Sequence, residues 1–312
     1  MAIVETLQLT SQHRLGLGTA PLGSIETGPL WWGPQDRVVA VATVRTAAEA
    51  GGAFIDTAPF YGWGRAEEIV RDGLLGLKNR PPIFTKCGTH RASNGKPYED
   101  ASGDAIRRDV LASRERLAVE RIDVVQVHDP DPKIPIEETW SSLMVLRDEG
   151  VIGGAGLSNH PVELMDRALT VGPIAVVQHQ YSLLHRTPQH DDVLHWCADH
   201  AVPFLAWSPL AGGFLTDGFD LSLLHPDDLR RRLRWATRDD DLAERTRSAM
   251  TEVAARHGTT MTAVAVAWAT RESGMFAILG ARSPDEAALL GDPLPTLDGN
   301  DIAQLDKANS PA

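Results

Sequence analysis

Eight short apolar runs, each followed by a stretch of helical periodicity, set the tightest limit on what this chain can fold into. The runs occupy residues 15–18, 53–56, 82–85, 122–127, 152–157, 174–178, 203–207 and 276–279. They are apolar on consecutive positions and bounded by turn residues, the pattern of strands buried on both faces. The segments at 36–51, 65–76, 102–118, 137–149, 161–169, 189–200, 241–272 and 284–290 suit helices. Eight βα units predict a closed (β/α)8 TIM barrel, and 312 residues are enough for one such barrel with decorations, a single domain over 1–312. An open, doubly wound sheet would usually bring a G-x-G-x-x-G turn, which Leu15-Gly16-Leu17-Gly18 does not supply. Two long connections, 88–101 and 211–240, both follow strands. They are expected at the C-terminal face of the barrel, where active sites sit.

Composition then narrows the function classes. With 43% hydrophobic and 23% charged residues the chain resembles an ordinary globular enzyme. Its 42 acidic against 30 basic side chains give a net charge of -12, which repels a polyanion, so no nucleic-acid partner is expected. No apolar stretch approaches the roughly 18 residues of a membrane span. The opening MAIVETLQLT lacks the basic and apolar regions of a secretory signal. Cys87 and Cys197 are too few for a disulfide framework or a structural zinc site, which makes the reducing cytoplasm the default location.

Asp56, Lys86 and His128 each stand at or just past the end of a strand run, and Tyr61 lies five residues beyond Asp56. Singly, each has a packing explanation: a loop cap, a half-buried ring, a rim charge. Together they converge in a barrel, where ionisable groups at neighbouring strand ends point to chemistry. A tyrosine with a pKa of about 10 is a poor acid near neutrality, and a nearby ammonium lowers that value. Lys86 fits that task, Asp56 is its natural counter-ion, and His128 can hydrogen-bond a substrate carbonyl or assist proton transfer. Trp31, Trp32, Phe60, Trp63 and His90 lie in loops at the same face and are candidates for the substrate pocket. Their aromatic faces suit a sugar ring or another flat or amphipathic carbonyl compound. Trp31 and Trp32 have the alternative of covering the barrel rim or a subunit contact.

Phe54-Ile55-Asp56-Thr57-Ala58, continued by Tyr61-Gly62-Trp63-Gly64-Arg65-Ala66-Glu67-Glu68, closely resembles the F-D-T-A-x-x-Y-G-x-G-x-(S/A)-E-E signature of aldo-keto reductases. The likeness continues through Thr85-Lys86-Cys87-Gly88, Val127-His128-Asp129-Pro130-Asp131, Gly156-Leu157-Ser158-Asn159, Gln178 to Arg186, Trp207-Ser208-Pro209-Leu210 and Gly280-Ala281-Arg282-Ser283. The resemblance implies that Asp56, Tyr61, Lys86 and His128 form the catalytic tetrad of an NAD(P)H-dependent carbonyl reductase, with Tyr61 as general acid. It further implies that Ser158, Asn159 and Gln178 hold the nicotinamide carboxamide and that Trp207, where the family usually has tyrosine, stacks on the ring. Ser208, Leu210 and Gly212 would line the pyrophosphate, with Gly18, Thr19 and Ala20 across the cleft. At the adenosine end the resemblance implies Gly280, Arg282, Ser283 and Glu286. Arg282 and Ser283 suit a 2′-phosphate, while Glu286 and Leu290 replace the expected glutamine and asparagine, and a carboxylate beside a phosphate is unfavourable. The resemblance favours NADP(H), with NAD(H) as the alternative.

The substrate is expected to be a small carbonyl or sugar-like molecule, and the chain a monomer or homo-oligomer. The opening Gly16-Leu17-Gly18-Thr19-Ala20-Pro21-Leu22-Gly23 also resembles sugar and pyridoxal dehydrogenase branches, which keeps open an NAD-dependent oxidation of a hemiacetal or alcohol. A cofactor-sensing regulatory subunit is a third reading, disfavoured by the intact tetrad. A metal-dependent hydrolase would need more strand-end ligands than Asp56 and His128. His190, His195 and His200 recur every five residues, a rotation of about 140° per step on a helix, so with Asp191, Asp192 and Cys197 they predict a solvated surface and no metal site. The run Arg230-Arg231-Arg232-Leu233-Arg234 is read as a helix paired with Asp227, Asp228 and residues 239–241, with a lid over the cofactor phosphates as the alternative.

Overall fold

The computed structural model describes residues 13–26, 28, 30–233 and 241–308. Eight parallel strands close into a barrel: β1 (Leu15–Gly18), β2 (Ile55–Asp56), β3 (Ile83–Cys87), β6 (Ile122–Val127), β7 (Ile152–Ser158), β8 (Val176–Gln180), β9 (Phe204–Trp207) and β10 (Met275–Gly280). Around the wall the order is β1-β10-β9-β8-β7-β6-β3-β2, and β2 pairs with β1 to complete the circle. The fold is the expected (β/α)8 barrel.

Side chains alternate along each strand, so the barrel interior is read two residues at a time. The lower layer is apolar: Phe54, Phe84, Val124, Val176, Leu205 and Phe276 pack together, with the rings of Phe54 and Phe84 stacked at 4.8 Å. Gly16 faces this layer, and a Cβ there would lie 2.3 Å from the Phe54 ring, so only glycine fits. One step up the same strands the residues turn polar: Asp56, Lys86, Gln126, Ser158 and Gln178, with Trp207 on β9. The apolar layer thus forms a dry floor beneath a polar one. Outside the wall, Val44, Ile69, Leu143 and Met165 join the second, larger core between strands and helices. Each such side chain contributes roughly 1.5–3 kcal/mol by leaving water.

The surrounding helices are α1 (Arg37–Glu49), α2 (Arg65–Leu74), α3 (Gly103–Leu117), α4 (Ile136–Asp148), α5 (Val162–Val171), α6 (Thr187–His190), α7 (Val193–Asp199), α8 (Asp241–His257), α9 (Met261–Ala269), α10 (Pro284–Ala288) and α11 (Gly299–Ala308). Local chemistry sets their ends. Asp36 caps α1 by accepting the Val39 N–H at 2.9 Å. The segment 241–272, expected as one helix, is two, because Gly258 takes a left-handed φ of 60° and the Thr260 side chain caps α9 on Ala263 N. The segment 189–200 likewise breaks at Asp192, at φ 58°. The connection 88–101 carries an antiparallel hairpin, β4 (Thr89–Arg91) and β5 (Pro97–Glu99), turned by Asn94-Gly95 with Gly95 at φ 81°. In the other long connection, residues 211–233 form 3-10 turns at Ala211–Gly213, Leu221–Leu223 and Leu229–Arg232. Residues 234–240, including Arg234 and the start of the acidic run, lie outside the described residues. Among the described residues no helix is long and apolar enough to cross a membrane.

The C-terminal α11 was not anticipated from the sequence. It is tied to α8 through Asp301, which accepts from Arg256 Nη2 at 2.6 Å and pairs with His257 Nε2 at 2.7 Å. Burial pushes this carboxyl up, but Arg256, His257 and the Asp298 N–H outweigh it and bring it to about 2, below the ordinary 3.8. A depressed carboxyl stabilises the fold fully above its unfolded pKa, and that contribution is lost as pH falls through the folded value. Asp301→Asn is therefore expected to lower the Tm clearly at pH 7 and progressively less between about pH 4 and 2; a Tm gap that stays constant over that window would contradict the assignment.

Candidate active site

The polar layer is organised by one buried ion pair. Lys86 Nζ lies 2.5 Å from Asp56 Oδ1 and donates to Thr57 O at 3.1 Å, with Lys86 at 1% and Asp56 at 2% exposure. Burial opposes the ammonium, and the carboxylate beside it reverses that balance, so the Lys86 pKa is raised. The other carboxylate oxygen, Oδ2, accepts from Gln178 Nε2 at 2.8 Å and from Gln126 Nε2 at 3.2 Å. Gln126 was not singled out from the sequence. Its signal was there: it precedes His128 by one inward step on β6 and lies beside Lys86 in the strand register.

Tyr61 rides the loop between β2 and α2. Gly62, Trp63 and Gly64 follow it at φ values of 67°, 55° and 97°, three left-handed residues in succession. A Cβ on Gly62 would strike Gly23 O at 2.1 Å, so the glycine lets the two loops touch backbone to backbone. Trp63, a bulky residue in that region, is strained. The Tyr61 ring centroid lies 5.1 Å from Lys86 Nζ. Burial raises the Tyr61 pKa; Lys86 pulls it down and Asp56 pushes it up again. The expected lowering by lysine is thus present but does not win, and the phenol keeps its proton at neutral pH. Burial, aided by Lys86, holds His128 well below 6.5, so its imidazole is neutral. The His128 ring is 5.9 Å from that of Tyr61 and 5.5 Å from Phe60, edge to face in both cases.

Beyond Asp56 the expected carboxamide residues line up on adjacent strands. Ser158 is buried at the end of β7, and Gln178 on β8 is committed to Asp56 by one amide hydrogen. Asn159, at φ 60°, donates to Asp129 Oδ1 at 2.8 Å and accepts from Trp207 Nε1 at 3.1 Å. That contact fixes the indole of Trp207. Hydroxyl, amide donors and amide acceptors beside a fixed aromatic face are the set a nicotinamide requires, so these residues fit that group.

Gly18, Thr19 and Ala20 cross the barrel mouth, where Thr19 bonds to Asp56 O through both its N–H and its hydroxyl. Ser208 at φ 55° and the sequence Ala211-Gly212-Gly213 at φ 51°, 71° and 98° form the turn after β9, with Leu210 half-buried within it. Gly280 ends β10 against Pro21. Arg282 donates to Pro34 O at 2.5 Å and to Gln35 Oε1 at 3.2 Å. Glu286 Oε2 accepts the Arg282 N–H at 2.6 Å, and Ser283 caps α10 by accepting the Glu286 N–H at 3.3 Å.

The aromatic candidates separate into two groups. Trp63 packs edge-on to Phe60 at 5.4 Å, beneath Arg91 of the hairpin, and joins the rings around His128. His90 sits on the hairpin, 3.4 Å from Asp109 and stacked at a tilt on Tyr98. Trp31 and Trp32 meet the 225–230 segment: Trp31 is 6.0 Å from the His225 ring, and Arg230 lies over Trp32. Arg230 is paired with Asp228 at 2.8 Å, while Arg231 donates to the carbonyls of Leu224 and His225, so the described part of the arginine run is a 3-10 turn with one acid-paired arginine that also reaches the 31–35 loop. Along α7, His195 is exposed beside Asp199, His200 stacks on Trp196 and Cys197 is buried. Among the described residues no three such side chains converge on one point.

The chain matches the model of the aldo/keto reductase family over residues 14–310. It belongs to that family. As a member it is an NAD(P)H-dependent oxidoreductase. It is 30% identical to an NADH-specific methylglyoxal reductase of Escherichia coli, over 88% of this chain and 87% of that protein. It is 32% identical to an aldo-keto reductase of Bacillus subtilis, over 89% and 84% of the two chains. Among solved structures it resembles a glycerol dehydrogenase of Gluconobacter oxydans, with 31% identity, a TM-score of 0.86 and coverage of 96% and 93%. It also resembles an aldo/keto reductase of Klebsiella pneumoniae in complex with NADP and acetate, with 28% identity, a TM-score of 0.72 and coverage of 96% and 92%.

Because the His128 imidazole is held well below 6.5, its ring resonances are expected to stay flat between pH 6 and 9 in an NMR titration. A midpoint near 6.5 would contradict the desolvated site.

Proposed function

We propose that this enzyme reduces the carbonyl of a small aldehyde or ketone to an alcohol, with Tyr61 as the proton donor. The observation that carries the reading is the buried Lys86 ammonium, neutralised by Asp56 on one side and facing the Tyr61 ring on the other. A bound nicotinamide supplies hydride to the carbonyl carbon. Tyr61 enters the reaction protonated, and as its proton passes to the carbonyl oxygen the phenolate that forms is stabilised by Lys86. Asp56 keeps that lysine charged throughout. Neutral His128 offers a ring N–H to the same carbonyl oxygen and orients it. In a site that excludes water these interactions act at full strength, and positioned proton transfer supplies roughly 10²–10⁴ of the rate.

A short, oxygen-rich substrate suits a mouth with Phe60 and Trp63 beside His128. The activities for which two relatives are named, methylglyoxal reduction and glycerol oxidation, both concern three-carbon oxygenated molecules. The second of these favours a reverse reading, oxidation of an alcohol or hemiacetal, in which the phenolate of Tyr61 accepts the proton. The two readings share their residues and differ in direction.

At the adenosine end the charges already balance. Arg282 and Arg230 face Asp228 and Glu286, and the Arg282 guanidinium is bound to neutral acceptors of the 34–35 loop. The resemblance puts Glu286 at the position expected to meet a 2′-phosphate, and these internal pairings support a proposal that moves from the NADP(H) favoured by the sequence to NAD(H). The test is Tyr61→Phe, followed by turnover and by tryptophan quenching with NADH and NADPH. The variant is expected to lose at least about 100-fold in kcat. It should bind both cofactors as the parent does, NADH more tightly. Full turnover in Tyr61→Phe would overturn the mechanism, and tighter NADPH binding would return the phosphate role to Arg282.

A further inference from the structure

Gln126 is fully buried in the middle of the polar layer, outside the tetrad and the nicotinamide-binding set. Its Nε2 reaches Asp56 Oδ2 at 3.2 Å, while its Oε1 is buried without a hydrogen-bond partner among the described residues. An unmade acceptor in the interior destabilises a fold. Turning the amide over would be worse, since the oxygen would then face a carboxylate. A methionine of similar length would fill the same space with no unmet polar group, so packing alone gives no reason for an amide at this position. What the amide contributes is its N–H on Asp56.

Asp56 needs that donor. Oδ1 is committed to Lys86 at 2.5 Å, which leaves Oδ2 to the two glutamines. Gln178 is also the residue proposed to meet the nicotinamide carboxamide, so its amide serves two ligands when cofactor is bound. Gln126, enclosed among strands with no cleft-facing partner of its own, serves one. We propose that Gln126 is a positioning residue for the reduction, a permanent second donor that fixes the ionised Asp56 carboxylate and thereby keeps the Lys86 ammonium directed at Tyr61. The proposal rests on the reading of Tyr61 as the acid.

The sign of its effect follows from charge. Without the Gln126 N–H, Asp56 Oδ2 carries more uncompensated negative charge, Lys86 is drawn toward it, and the Tyr61 phenolate is less stabilised. Tyr61 then ionises at higher pH and yields its proton less readily. Gln126→Met removes the donor and keeps the shape; Gln126→Leu does so with a shorter side chain. The chain has three tyrosines, so a stopped-flow alkaline jump read at the tyrosinate band, with Tyr61→Phe subtracted, isolates the Tyr61 signal.

In Gln126→Met we expect the Tyr61 midpoint to rise by about half to one pH unit, and kcat to fall about 3- to 10-fold. KM and cofactor affinity should be unchanged. In an Asp56→Asn background the same substitution should move the Tyr61 midpoint no further. An unchanged midpoint in both Gln126 variants would overturn the proposal, as would a fall in Tm accompanied by parallel losses in kcat and KM. The alkaline jump uses neither cofactor nor substrate, so it tests the link from Gln126 to Tyr61 even if the reductase reading fails.

Discussion

The whole polar layer depends on the contact between Lys86 and Asp56. A buried ion pair is a poor way to stabilise a fold, because the cost of removing two charges from water takes most of what their attraction returns. This pair is tolerated because every polar face of it is met: Thr57 O on the ammonium and the two glutamine amides on the carboxylate. The barrel supplies what a smaller scaffold could not. Eight strand ends bring side chains from positions far apart in the chain to one point, above a buried apolar floor.

The pair in turn decides the state of its neighbours. Lys86 moderates the rise that burial imposes on Tyr61 and reinforces the fall that burial imposes on His128. Both groups are therefore neutral at neutral pH, each with a proton to offer an oxygen placed between them. A site with a charged imidazole or an ionised phenol would lose that balance of neutral donors. In the proposed reduction this arrangement acts as an acid toward a carbonyl, and microscopic reversibility makes it a base toward an alcohol.

Much of this was legible in the sequence, for identifiable reasons. Consecutive apolar residues marked the strands, and Asp56, Lys86 and His128 stood out because three ionisable groups at the ends of neighbouring strands together have no packing explanation. Gln126 escaped because an uncharged amide within an apolar run looks like ordinary strand sequence; only the two-residue alternation from Val124 to His128 placed it on the inner face. The hairpin at 89–99 was announced by Asn94-Gly95 and the break in 241–272 by Gly258 and Thr260, turn signals outweighed by the length of the segments that contain them. The commitments of Asn159 to Asp129 and Trp207 were not legible at all. They join residues 30 and 48 positions apart, and only the closed barrel brings them together.

If Asp56 and Lys86 act as one unit on Tyr61, removing either should remove what both provide. The direct measurement is a double-mutant cycle on kcat with Asp56→Asn, Lys86→Met and the double variant. The account predicts that the double variant turns over at least as fast as Lys86→Met alone, because without the ammonium the Asp56 carboxylate only pushes the Tyr61 pKa up. Losses that add in free energy across the two sites would contradict it, and would mean that Asp56 and Lys86 contribute to the reaction independently.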